Sequence, residues 1–278
     1  MNLETTLPQS AENTPQTRVS ELLGHASQLS QRGKLSEAAT ELEAALAEAR
    51  AVPYEIQFET RVQLAMTLAD VYNSLGEIAK ASEMLQEESA FAEKISQIMQ
   101  LTGTPSQKRA ATSGSLQVRD RATQMALLGK LAPEISVKDW IIGKPLTLAE
   151  LRGQVVLLEF WATWCKPCQE MFPKLKNLYD EQAERGLEIV ALTRHYLAYR
   201  GTSQSMMEEV QLISKMVNEH EIGFPVGIVE DERLQAIYGA NGLPTTAVID
   251  RQGIVRYVGP GIDDRGFNEA LERWLQAS

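Results

Sequence analysis

The chain has 278 residues, of which 44% are hydrophobic, enough to build the cores of two domains. Its formal net charge is −10, and residues 1–100 alone carry 7 basic and 15 acidic side chains. Such a surface repels nucleic acid phosphates and anionic lipid headgroups, so neither nucleic acid nor a membrane is expected as a partner. Proteins or small thiols remain as the expected partners.

The expected location is the cytoplasm, because no targeting signal is visible in the sequence. The first twenty residues contain neither the basic nor the apolar segment of a secretory signal peptide, and no later stretch is apolar over the length of a membrane span. We therefore expect a soluble protein of the cytoplasm. The chain has two cysteines, Cys165 and Cys168, which are too few and too close together for a structural disulfide framework.

An all-helical domain is predicted over residues 17–101, because this region is rich in Ala, Leu, Glu and Gln. Breaks at residues 31–33, 52–53 and 74–76 divide it into four helical segments that form two hairpins. The second hairpin resembles a tetratricopeptide repeat in its small and apolar positions: Leu68, Ala69, Tyr72, Gly76, Ala79 and Ala81. The first hairpin resembles it more loosely, at Leu29, Gly33, Glu37, Ala38 and Leu46.

The repeat interpretation has an alternative. Gly33 lies 43 positions before Gly76, whereas the tetratricopeptide period is about 34 residues. The same residues would also serve as ordinary helix-packing positions in a small bundle. Because two hairpins are fewer than the roughly three repeats that form a stable solenoid, we expect this domain to bind a protein partner, self-associate or pack on the second domain.

Residues 102–128 are predicted to be a linker that contains a short helix. The stretch 102–116 is rich in Thr, Ser, Gly and basic residues and shows no periodicity. The following residues, 118–130, have the composition of a short helix that ends before Pro133.

An α/β domain is predicted over residues 129–278. The apolar run 155–162 is typical of a central strand that is covered on both faces. Further elements follow in alternation: helix 170–185, strand 187–193, helix 205–219, strand 224–229, helix 232–238, strands 245–250 and 254–259 around a turn at 251–253, and a last helix that begins near Asp263 or Asp264. This order predicts a mixed sheet with helices on both faces.

The motif Cys165-Lys166-Pro167-Cys168 falls at a junction between a strand and a helix. A helix N-terminus stabilises a thiolate, so Cys165 is expected to be the nucleophile. Cys168, three positions on, is close enough to resolve a mixed disulfide. Pro167 suits the start of a helix, and the cation of Lys166 favours the thiolate and makes the pair more oxidising, although an exposed lysine has little effect.

Three segments resemble the TlpA-like branch of the thioredoxin superfamily: FWATWCKPC at 160–168, GLPTTAVIDRQG at 242–253, and the stretch 132–158. The resemblance covers about residues 130–278. It implies a thioredoxin fold, an exposed Cys165, a buried Cys168, and a cis Leu243–Pro244 peptide bond whose backbone binds the substrate chain. TlpA-like proteins commonly act outside the cytoplasm, so the resemblance also leaves that location open.

Glu159 is a carboxyl group inside an apolar strand, so its pKa is expected to be raised. The family usually has a polar or acidic residue at this position, where it would exchange protons with Cys168; a purely structural hydrogen-bonded glutamate is the alternative. The family also often has a glutamate three positions after the second cysteine, where this chain has Met171.

The aromatic and histidine residues near the motif have different expected roles. Trp164 is expected to flank the sulfur of Cys165 and, with Lys166 and Pro167, to contact the substrate, whereas Trp161 is expected in the core. His195 is expected on the surface and without a catalytic role, as is usual for a lone histidine in a loop. The stretch 195–204 is long enough to form a substrate-facing loop.

These features predict a thiol-disulfide oxidoreductase that reduces a protein disulfide and is itself reduced by an upstream thiol. No metal and no cofactor beyond the Cys165/Cys168 disulfide are expected. Zinc would need about four ligands, and no second Cys or His pair is present. A peroxiredoxin-like peroxidase is a second alternative, although Leu158 and Ala162 replace the residues of its motif. A tetratricopeptide-type binding protein, with the thioredoxin fold as a docking module, is a third.

Overall fold

A computed structural model describes residues 14–199, 205–262 and 265–277. The chain forms two compact units, which divide between Ala122 and Thr123. Across the described ranges, every helix is too short or too polar to cross a membrane.

Five helices form most of the first unit: α1 (Pro15–Gln31), α2 (Leu35–Ala51), α3 (Phe58–Ser74), α4 (Ile78–Thr102) and α5 (Pro105–Leu127), the last of which continues past the division. The four predicted helical segments and the three breaks between them are confirmed. Gly33 and Gly76 have φ values of +74° and +77°, a left-handed conformation that most other residues adopt only with strain. The chain therefore turns in the same way within each hairpin.

The predicted linker was wrong in its main feature, because α5 is a continuous helix over most of it. Ala111 and Val118 of α5 are buried, and a methyl group on Gly114 would come within 2.6 Å of Phe58 Cε1 on α3. The glycine that suggested a flexible segment instead allows the two helices to approach closely. Packing has outweighed the weak helix propensity of this stretch.

A buried ion pair joins α3 to α4. Arg61 Nε donates to Glu88 Oε2 over 2.7 Å, and both side chains are almost fully buried. Arg50 of α2 donates to the other oxygen of Glu88 over 3.0 Å, while the guanidinium of Arg61 lies 3.5 Å from the centre of the Phe91 ring. Three helices thus share one buried charged cluster in this unit.

The second unit contains a six-stranded sheet: β1 (Val137–Ile142), β2 (Val155–Phe160), β3 (Leu187–Thr193), β4 (Val226–Val229), β5 (Thr245–Ile249) and β6 (Val255–Gly259). The strand order is β1-β4-β3-β2-β5-β6. The pairs β2/β3 and β3/β4 are parallel, while β1/β4, β2/β5 and β5/β6 are antiparallel. The predicted mixed sheet is confirmed, and β1 is an additional edge strand that the sequence pattern did not predict.

Helices cover both faces of this sheet: α6 (Lys166–Gln182), α7 (Tyr196–Tyr199), α8 (Met206–Glu219), α9 (Arg233–Tyr238) and α10 (Arg265–Gln276), with a 3₁₀ turn at Ala183–Arg185. The predicted start of the last helix, at Asp263 or Asp264, lies outside the described residues.

Strand β2 separates two apolar cores. Val155 and Leu157 belong to the core that α6, α8 and α10 cover, and this core contains both cysteines. Val156, Leu158 and Phe160 point to the opposite core, which α9 covers. Since side chains alternate along a strand, Glu159 points to the same side as Val155 and Leu157. The sheet therefore places this carboxyl group on the cysteine side.

Candidate active site

The two cysteines lie at the carboxyl end of the central strand. Strand β2 ends at Phe160, and α6 begins at Lys166, so Cys165 is the N-cap residue of the helix. Its sulfur accepts a hydrogen bond from the backbone N–H of Cys168 over 3.3 Å, and the two sulfurs form a disulfide of 2.04 Å. A thiolate at Cys165 in the reduced protein would be stabilised by the same N–H and by the helix dipole.

Both cysteines are buried in this oxidised form, with 3% of Cys165 and 1% of Cys168 exposed. The expectation of an exposed Cys165 was therefore wrong for this state. The reason is that the disulfide belongs to an apolar cluster that includes Trp161, Tyr196 and Ile262.

The predicted cis peptide bond between Leu243 and Pro244 is confirmed. It directly precedes β5, whose Thr245 lies opposite Phe160 of β2 in the antiparallel register. The end of β2 that leads to Cys165 is thus also the end at which the Pro244 segment enters the sheet. Leu243 packs against the cluster that contains the disulfide.

Glu159 is completely buried, and burial raises its pKa to about 8. The hydroxyl of Thr246, its cross-strand neighbour, donates to Glu159 Oε2 over 2.6 Å and partly offsets this rise. Oε1 has no hydrogen-bond partner among the described residues. The expected rise in pKa is confirmed. The role of Thr246 was missed, although a threonine two positions after the cis proline is visible in the sequence.

Lys166 and Pro167 occupy the first two positions of α6. The side chain of Lys166 is 85% exposed, and its Nζ lies 3.9 Å from Glu170 Oε1 in a solvent-exposed ion pair. Water screens this cation, so its effect on Cys165 is expected to be small. A substrate contact by Lys166 or Pro167 stays a prediction.

Trp161 lies in the core, as predicted, and Trp164 is partly exposed; its predicted contacts with the Cys165 sulfur and the substrate stay predictions. Trp161 is buried and packs edge-on against Phe172 of α6 with ring centres 4.9 Å apart. Trp164 is 46% exposed and packs edge-on against Tyr196 with ring centres 5.6 Å apart. An exposed indole directly before Cys165 provides an apolar surface for a peptide chain.

The chain is similar in sequence to several known proteins. The AhpC/TSA family matches residues 128–258. Thiol-disulfide oxidoreductase ResA of a Bacillus cereus strain is 34% identical over 152 residues, which cover 54% of this chain and 77% of that protein. The chain belongs to the TlpA- and ResA-like family of thiol-disulfide oxidoreductases. The prediction of a thioredoxin fold after an all-helical unit is confirmed.

Other similarities likewise cover about half of the chain. ResA of Bacillus anthracis is 36% identical over 129 residues, and the match covers 46% of this chain and 66% of that relative, slightly less than two thirds. A solved structure of a thiol-disulfide isomerase from Corynebacterium glutamicum is 20% identical, with a TM-score of 0.47. It covers 54% of this chain and 98% of that one.

One departure from the TlpA-like pattern has a structural explanation. Met171 of α6, at the position where the family often has a glutamate, is buried in the core. A methyl group on Gly261 would lie 2.6 Å from Met171 Cε, so the thioether packs directly on this backbone. The side chain at this position therefore fills the core instead of handling protons.

The expectation that His195 lies on the surface was wrong. Only 4% of it is exposed, and its Nδ1 lies 3.7 Å from Oε2 of the equally buried Glu209. The sequence does indicate that Glu209 is buried, because this residue shares the buried stripe of α8 with Ile213 and Val217 at a spacing of four. The predicted substrate-facing loop begins with α7, and its residues 200–204 lie outside the described residues.

Within the ranges that the structure describes, no group of three or more His, Cys, Asp or Glu side chains is arranged to hold a metal ion.

Proposed function

We propose that this protein reduces disulfide bonds in other proteins with the dithiol of Cys165 and Cys168. The observation that carries the proposal is the position of Cys165 as the N-cap of α6, with its sulfur accepting the N–H of Cys168. The same end of the sheet holds the cis Leu243–Pro244 bond. An upstream dithiol restores the reduced state.

The first step forms a mixed disulfide. The Cys165 thiolate attacks one sulfur of the client disulfide, which breaks the client S–S bond and forms a bond between Cys165 and the client. The departing client thiolate takes a proton from solvent. The exposed indole of Trp164 and the backbone around Pro244 would hold the client chain during this step.

The second step releases the client. Cys168 gives its thiol proton to the Glu159 carboxylate and attacks Cys165 Sγ, which closes the Cys165–Cys168 disulfide and expels the second client sulfur as a thiolate. This thiolate then takes a proton from solvent. Two electrons have then passed from the protein to the client. Support for Glu159 as the proton acceptor comes from its position on the cysteine side of β2 and from its pKa of about 8, close to that of a thiol.

Turbidimetric insulin reduction with dithiothreitol as donor tests this proposal. The wild type should accelerate insulin precipitation, and Cys165→Ser should abolish the effect because no nucleophile remains. Cys168→Ser should accumulate a mixed disulfide that is visible on a non-reducing gel. Wild-type protein that consumes hydrogen peroxide but leaves insulin intact would favour the peroxidase alternative, and protein inactive in both assays would favour a docking module.

Reduction rather than oxidation is the proposed direction, and the reduction potential of the pair tests it. We expect a value near that of thioredoxin, about −270 mV. A value near that of the strong oxidant DsbA, about −120 mV, would contradict the proposed direction. Equilibration of the Cys165–Cys168 pair in glutathione or dithiothreitol redox buffers provides the measurement.

The helical unit is proposed to be a tetratricopeptide-like protein-interaction module. Its support is the repeated left-handed turn at Gly33 and Gly76 between packed helices. Hydrogen–deuterium exchange on a Cys168→Ser mixed disulfide with a client should then show added protection within residues 14–122. Protection confined to residues 123–277 would argue against an interaction role for this unit with that client.

A further inference from the structure

A buried carboxyl group lies on α8, outside the residues assigned above. Only 1% of Glu209 is exposed, and it shares the inward face of α8 with the core residues Ile213 and Val217. Burying a carboxyl group costs free energy unless other groups compensate for the lost water. The partners of Glu209 therefore indicate its role.

Two contacts of Glu209 are made with the segment that follows β3. Glu209 Oε1 accepts a hydrogen bond from the backbone N–H of Leu197 over 3.0 Å. Glu209 Oε2 lies 3.7 Å from Nδ1 of the buried His195. The Glu209 carboxyl group is thus hydrogen-bonded to the residue after Tyr196 and lies close to the side chain of the residue before it.

Tyr196 transmits this constraint toward the redox site. Its ring packs edge-on against Trp164, and its hydroxyl is hydrogen-bonded to the side-chain amide of Gln235 on α9. The guanidinium of Arg194 stacks 4.4 Å from the ring centre on Tyr196. Trp164 directly precedes Cys165 and is the exposed member of this group. The path from Glu209 to the disulfide region therefore runs through Tyr196 and Trp164.

We propose that Glu209 is a positioning residue that fixes Trp164 beside the disulfide for client binding. This inference rests on the proposed reductase function, because it assigns Trp164 to client recognition. Glu209 acts on the binding of a polypeptide and not on the exchange chemistry. Its loss should therefore raise KM for a protein disulfide while kcat and the reaction with a small dithiol change little.

Steady-state insulin reduction by Glu209→Ala provides the kinetic test. KM should rise about fivefold, as for truncation of a residue that matters for binding, with kcat within about twofold of the wild type. Glu209→Gln should restore KM, because its amide oxygen still accepts the Leu197 N–H. Glu219→Ala, the same substitution at an exposed position near the end of α8, is the matched control and should leave KM unchanged.

A double-mutant cycle separates positioning from general damage to the fold. If Glu209 acts through Trp164, Glu209→Ala should not raise KM further in a Trp164→Ala background. Tyr196→Leu removes the connecting ring and leaves Glu209 in place, so it should raise KM as Glu209→Ala does. If Glu209→Ala fails to fold, Tyr196→Leu replaces it in the test. Additive effects of Glu209→Ala and Trp164→Ala would overturn the proposal.

Acrylamide quenching provides a readout that does not depend on turnover. The Trp164 component, isolated by subtracting the Trp164→Phe signal, should be quenched more readily in Glu209→Ala than in the wild type. Unchanged quenching together with unchanged KM would refute the positioning role while leaving the proposed function intact. Absence of insulin reduction by the wild type, with the quenching change present, would instead refute the proposed function and leave the structural coupling.

Discussion

In the proposed mechanism, the electrostatics of Glu159 determine how the second half of the reaction depends on pH. Burial raises the pKa of this carboxyl group to about 8, and the hydrogen bond from Thr246 lowers it. Since only the carboxylate can accept the Cys168 proton, single-turnover client release should accelerate as pH rises through about 8. Glu159→Gln should be slower and lack this inflection, whereas Thr246→Val should move it to higher pH. A wild-type profile retained in Glu159→Gln would exclude Glu159 as the acceptor.

The same group affects stability with a defined sign. Between its ordinary pKa of 4.5 and the raised value of about 8, the folded protein keeps a proton on Glu159 that the unfolded chain has released. The free energy of unfolding should therefore fall as pH rises across this window, by up to about 1.4 kcal/mol per pH unit. Glu159→Gln lacks this contribution.

Urea unfolding followed by tryptophan fluorescence at pH 5 and pH 8 measures the effect. The wild type should lose more stability than Glu159→Gln between the two pH values. An identical pH dependence in both proteins would show that Glu159 does not titrate in this range.

Single residues also mark the limit of sequence reasoning at the site. Cys165 and Cys168 were predicted because they form a short local motif, and the cis Leu243–Pro244 bond was predicted from the resemblance to the TlpA-like branch. Glu209 was missed because its partners follow another strand, and no local pattern connects them. The burial of Cys165 likewise depends on the cluster around Trp161, Tyr196 and Ile262, which forms only on folding.

At the scale of elements, the hairpin turns of the helical unit require a left-handed backbone conformation, which favours glycine. Gly76 has a φ of +77°, and the space around it would admit a methyl group. Gly76→Ala should therefore destabilise the unit through backbone strain alone, by about 1–2 kcal/mol. Gly24→Ala, at an equally open position within α1, should instead stabilise by about 0.5–1 kcal/mol.

Urea unfolding followed by far-UV circular dichroism tests this pair of substitutions. A Gly76→Ala variant as stable as the wild type would show that the left-handed turn does not constrain the hairpin.

Elements were predictable where the pattern was local and strong. Helices α1 to α4 followed from composition and helix breaks, and β2 followed from an uninterrupted apolar run. Strand β1 was missed because it is an edge strand with little buried surface, paired with β4 far along the chain. Much of helix α5 was predicted as a linker because glycine at position 114 is typical of loops. Its close approach to Phe58 exists only in the folded protein.

At the scale of the whole molecule, each unit has its own apolar core, and the four tryptophans of the chain all lie between residues 140 and 274. Tryptophan emission therefore reports on the second unit, whereas circular dichroism also follows the helices of the first. Because the chain divides into two compact units, we expect two transitions in urea. Superimposable fluorescence and circular dichroism curves would show that the chain unfolds as one cooperative unit.

The distance along the chain between Glu159 and Thr246 has a consequence for biosynthesis. The ribosome must add 87 residues after Glu159 before its hydrogen-bond partner exists. The first unit has been made by then, whereas β5, the antiparallel neighbour of β2, is still missing. During this interval the Cys165 and Cys168 thiols are not yet packed in the apolar cluster of the finished fold, so we expect them to react with glutathione and oxidants more readily in the nascent chain than in the folded protein.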